Sequence, residues 1–198
     1  MKISRRFTAV LGAAAALALP AAAQAQVTYY TSGLFSSSGS NVVTNGGMTV
    51  TFNGLGSTTT STPSNISFGD FVTSGTGSGT FSGNFTLSVF QTSPTSGNNV
   101  FVGSFGGTLN STGSLTYWIP SGPSSFNIGN STYRLNTNAL FDASGNSLGN
   151  GYAIVAPNNN NGKTTVQGFV STPEPSSMAL LGTGLIGLVP MIRRKKQK

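Results

Sequence analysis

The chain has 198 residues, enough for one ordinary domain with short appendages. It contains no Cys and no His, which excludes a thiol nucleophile, an imidazole base, a zinc site and a disulfide framework. The net charge of +7 belongs to the two ends: between Val27 and Thr172 only Asp70, Asp142, Arg134 and Lys163 are charged, so the body is neutral and lacks the basic face that a nucleic-acid binder needs.

The N-terminus opens with Lys2, Arg5 and Arg6, continues with an apolar run from Phe7 to about Leu19, and ends in small residues. Basic head, short apolar run and Ala-x-Ala exit are the parts of a secretory signal peptide. Ala23-Gln24-Ala25 supplies the small residues at the cut, which makes Gln26 the expected first mature residue. Ala21-Ala22-Ala23 is the second choice. The expected leader is therefore 1–25, with signal peptidase as the processing enzyme. The run is short for a membrane span and breaks at Pro20.

From Val27 to Thr172 the chain is rich in Gly, Ser, Thr and Asn, yet it carries 12 Phe, five Tyr and Trp118. A disordered linker lacks such aromatics. The apolar period is two. Strands are predicted at Val27–Thr31, Met48–Phe52, Ile66–Val72, Phe81–Phe90, Asn99–Phe105, Leu115–Ile119, Ser125–Ile128, Thr132–Leu135, Tyr152–Val155 and Thr165–Val170. Turns are predicted at Asn45-Gly46-Gly47, Ser96-Gly97-Asn98, Pro120-Ser121-Gly122-Pro123 and Asn158–Gly162. Ala139 to Ala143 reads as one loose turn. About ten short strands with one apolar face predict an all-β domain over 26–172, an antiparallel β-sandwich or jelly-roll. With so few charges, the sheet edges lack their usual lysine guards, and edge-to-edge association is expected.

Chemistry has little to work with. Asp70 and Asp142 are the only carboxylates of the body, the minimum for a glycoside hydrolase with nothing left to tune either group. Asp142-Ala143-Ser144-Gly145-Asn146 reads as an Asx-type turn. It lacks the further carboxylates and closing Glu of a calcium loop. No catalytic residue, metal or cofactor is expected. The candidate glycan contacts are Tyr117 and Trp118, with Tyr133 and Tyr152 also in β context, since sugars stack on aromatic rings.

The C-terminus has three parts. Pro173-Glu174-Pro175 is stiff, because each proline fixes its own φ and keeps its predecessor out of a helix. Ser176 to Ile192 then carries no charge and, as a helix, spans roughly 26 Å at 1.5 Å per residue. Arg193, Arg194, Lys195, Lys196 and Lys198 follow and would stay on the cytoplasmic side, leaving the body outside. This order resembles the PEP-CTERM sorting signal of Gram-negative bacteria over about Thr172 to Lys198. The resemblance implies an exosortase that recognises the region of Pro173, Glu174 and Pro175 and removes the tail. It further implies transient residence in the inner membrane and delivery to the cell surface or an exopolysaccharide matrix. Stretches such as Gly79-Thr80-Phe81-Ser82-Gly83-Asn84-Phe85-Thr86 also loosely resemble N-terminal domains of such proteins, a likeness that implies no activity. The expected division is 1–25 leader, 26–172 β domain and 173–198 sorting signal.

Overall fold

The computed structural model describes residues 24–173. The expected leader up to Ala23, the expected membrane helix and the basic tail lie outside the described residues.

Among the described residues, fourteen strands form two antiparallel sheets. They are β1 (Gln26–Phe35), β2 (Val42–Asn45), β3 (Met48–Asn53), β4 (Thr58–Ser61), β5 (Ser64–Gly75), β6 (Ser78–Phe81), β7 (Asn84–Ser93), β8 (Gly97–Asn110), β9 (Thr116–Pro120), β10 (Ser125–Ile128), β11 (Ser131–Leu135), β12 (Asn138–Phe141), β13 (Ser147–Ile154) and β14 (Lys163–Ser171). The larger sheet runs β12-β13-β9-β8-β7-β1-β4, with β6 added to the far end of β8; the smaller runs β10-β11-β14-β5-β3-β2. The antiparallel, sandwich-like all-β architecture agrees with the sequence expectation. The number of strands corrects it. The four additional strands, β2, β4, β6 and β12, are each four residues long. The segment read as a loose turn from Ala139 contains most of β12, paired with β13 from Asn138↔Gly151 to Phe141↔Ser147.

Alternation decides which face is buried. In β7, Phe85, Leu87 and Val89 point inward, and Thr86, Ser88 and Phe90 are half-buried on the other face. Rings from the two sheets meet in the middle. Phe85 packs on Phe52 and Phe71 at centroid distances of 4.9 and 4.8 Å, and Phe68 faces Phe101 at 5.9 Å. Such aromatic pairs add about 0.5–1.5 kcal/mol beyond their buried area. This cross-sheet layer, rather than electrostatics, holds the domain together.

Turns follow their chemistry. Gly46 and Gly47 join β2 to β3 with φ of 55° and 77°, the positive values a two-residue hairpin turn requires. Inside the larger sheet, Gly103 leaves room for its neighbour strand. A Cβ there would lie 2.3 Å from the Ile119 carbonyl and 2.6 Å from the Trp118 indole nitrogen.

The polar groups that enter the core are mostly satisfied. Tyr133 Oη donates to Gln91 Oε1 at 2.8 Å, and Gln91 Nε2 donates to the Thr95 carbonyl at 2.7 Å. Tyr29 Oη donates to the Ser67 carbonyl at 2.9 Å, and Tyr152 Oη to the Gln167 carbonyl at 2.5 Å. Leaving such buried groups unpaired would cost about 1–3 kcal/mol each.

Candidate functional site

The ends of the folded unit meet at one residue. Thr62 is buried in the connection between β4 and β5. Its N–H and Oγ1 both donate to the Ala25 carbonyl, at 2.8 and 3.2 Å, and Oγ1 also bonds to Thr172 Oγ1. The compact unit runs from Ala25 to Pro173, so Ala25 is held by the fold although it was expected to be the last residue of the leader. Gln26 is the first residue of β1, pairs with Ser61 and is exposed. Strand β14 ends at Ser171, two residues before Pro173, which is exposed. Thus Pro173 emerges from the body without a linker. Ala23, Glu174, Pro175, Arg193, Arg194, Lys195 and Lys196 lie outside the described residues.

Both carboxylates are engaged by neighbouring groups of the fold. Asp70 sits on β5, where Oδ2 is 3.0 Å from Lys163 Nζ and Oδ1 accepts a bond from Thr165 Oγ1 at 2.6 Å. These partners lie on the paired strand β14, so Asp70 is a cross-strand pin. Asp142 lies in the connection between β12 and β13. Its Oδ2 accepts from the Asn146 amide at 2.9 Å, and its Oδ1 accepts from the N–H groups of Asn146 and Ser144 at 2.8 and 2.9 Å. The Asn146 side chain, then these backbone N–H groups, hold the Asp142 carboxyl below its ordinary range. A general acid needs a shift in the opposite direction. The Asx turn read from the sequence is therefore the arrangement found.

The two aromatic candidates separate. Trp118 is 0% exposed and points into the core, where it stacks on Tyr152 at 5.6 Å and meets Phe85 edge-on at 5.2 Å. This corrects its selection as a glycan contact: on a strand, Tyr117 and Trp118 face opposite sides, and the inward side belongs to Trp118. Tyr117 is half-buried on the outer face. Tyr133 and Tyr152 are also core residues. Sequence reasoning passed over Arg134. Among the described residues, Lys163 is ion-paired, whereas the Arg134 guanidinium is exposed and lies 5.7 Å from the centre of the Phe169 ring. The available signal was that Arg134 is the one arginine between Arg6 and Arg193.

No curated protein and no solved structure matches the chain. One family model does: the PEP-CTERM protein-sorting motif, over residues 171–196. The match begins at Ser171, the last residue of β14, and so takes over where the body's final strand stops. The chain therefore ends in a PEP-CTERM protein-sorting motif, which implies an exported, exosortase-targeted protein whose precursor is anchored at the membrane.

Proposed function

We propose that the β domain is a non-enzymatic structural or adhesive component of the cell surface or extracellular matrix, working in a biofilm or exopolysaccharide setting after release from the inner membrane. Signal peptidase removes the leader, and the exosortase acts near Pro173, Glu174 and Pro175. The observation that carries this reading is the state of the sheet edges. The terminal strands of the two sheets are β4 and β12, and β2 and β10; none contains a charged residue. Natural edges normally carry charges that block pairing with another sheet. β12 also presents apolar side chains to solvent, with Ala139 exposed and Phe141 59% exposed. An edge of this kind favours association between copies. The engagement of Asp70 and Asp142 in local structure supports the non-enzymatic part.

Sedimentation velocity of the processed protein is expected to show concentration-dependent association. Ala139→Lys combined with Phe141→Lys is expected to shift it to monomer, with stability changed by only about 0.5 kcal/mol, because both sites are exposed. A monomeric wild type over the same range, or unchanged assembly of the variant, refutes edge association.

The alternative that the domain is a carbohydrate-binding module for the surrounding polysaccharide loses Trp118 as its anchor. What remains to support it is a different part of the surface.

A further inference from the structure

We propose that the cleft beside Arg134 is a binding site for an acidic sugar, a uronate residue of a glycan. This goes beyond edge association and does not depend on it.

The cleft lies between β9 and β13 of the larger sheet and β11 of the smaller, with a volume of about 690 Å³. That falls within the roughly 300–1,000 Å³ of ordinary small-ligand sites. It is open to solvent. Its lining combines three chemistries. Arg134 provides the charge; Asn136, Thr137 and Asn150 provide amide and hydroxyl groups; the half-buried Ile119 and Pro120 provide apolar surface. A ligand that matches all three carries one anion, several hydroxyls and a face of C–H groups. A sugar acid has that composition. A neutral sugar leaves the cation unmatched, and an inorganic anion leaves the apolar surface unused.

Electrostatics selects Arg134 as the anchor. Four charged side chains lie between Val27 and Thr172. Lys163 and Asp70 neutralise each other, and Asp142 is folded into its own turn. Arg134 has no carboxylate partner among the described residues. Its guanidinium offers a planar fork of donors that suits a carboxylate in a two-point contact. The cross-strand neighbour Phe169 lies beneath it and limits its freedom. A site so placed adds selectivity for acidic over neutral polysaccharide in an otherwise uncharged domain.

The test is isothermal titration calorimetry on the full chain in nonionic detergent, with trigalacturonate as probe and its methyl ester as the neutral control. The acid is expected to bind, and the ester to bind about tenfold more weakly or not at all, as expected for loss of a charge-assisted contact. Arg134→Gln, an exposed substitution expected to leave the melting temperature unchanged, should lose the same factor. Sodium acetate at the probe's concentration should not displace it. Absence of binding, equal affinity for acid and ester, undiminished affinity in Arg134→Gln, or complete competition by acetate each overturns the proposal. These outcomes leave the sedimentation result untouched, so the two readings fail separately.

Discussion

Trp118→Ala is expected to destabilise the domain by about 3–5 kcal/mol, the usual cost of deleting a large buried ring. The indole is fully buried between Tyr152, Phe85 and, at 6.1 Å, Phe71. Those rings belong to both sheets, so the cavity would open in the layer that joins them. Domains of this size have a total stability of only about 5–15 kcal/mol. A drop in melting temperature of about 10 °C is therefore expected, at roughly 2–4 °C per kcal/mol. Trp118→Phe should cost less. The indole N–H has no hydrogen-bond partner within the domain, and phenylalanine removes that unmet donor while keeping part of the packing. Thermal unfolding followed by circular dichroism separates the two variants. An alanine variant within about 1 kcal/mol of wild type would contradict the placement of Trp118 in the core. One consequence concerns glycan binding: lost affinity in Trp118→Ala would report unfolding rather than a missing contact.

The second large effect is alkaline unfolding. Burial pushes the Tyr29 hydroxyl up to about 12. Burial, and secondarily the neighbouring Tyr29, also raises Tyr133, and burial raises Tyr152. A tyrosine is neutral when protonated, so a raised value in the folded state means that the unfolded state loses its proton first. Above pH 10 the unfolded chain then binds fewer protons than the folded one, and stability falls as pH rises. Below pH 10 both states are protonated and the contribution is fully present. Each such tyrosine contributes a slope of up to about 1.4 kcal/mol per pH unit, or about 4 kcal/mol for the three together. The absence of histidine removes the usual titration between pH 5 and 8. Urea unfolding is expected to give a midpoint nearly constant from pH 5 to 9 and falling steeply between pH 10 and 12. Tyr133→Phe should flatten that fall, although it leaves Gln91 Oε1 without its donor and lowers the plateau by about 1–3 kcal/mol. A midpoint that stays level through pH 12 would mean that these hydroxyls are not enclosed.

What could be read from the residues follows from burial. Phe85, Leu87 and Val89 alternate because they line a core, and that pattern located β7. Strand β4, Thr58-Thr59-Thr60-Ser61, has no side chain in the core and is held by its backbone pairing to β1. Nothing in its hydropathy marks it. Strand β6 turns Gly79 inward beside Phe81, so half of its alternation is a missing side chain. At Tyr117 and Trp118 the alternation shows that the two face opposite ways but not which way the core lies. That depends on the layering of distant strands. Arg134 and Asn150 are likewise brought to one cleft by β11 and β13, which lie in different sheets, and no local spacing relates them. The sorting motif was legible because it is a linear signal: its stiff tripeptide, uncharged stretch and basic tail are contiguous.

Both chain ends are expected to be delivery segments removed from a neutral β domain. Intact-mass and terminal-peptide mass spectrometry of the surface and secreted protein reads both cuts at once. The expected result is a mature chain starting near Gln26 and ending near Pro175. A mature pool that still contains Lys198 would show that the C-terminal segment is retained and overturn this reading.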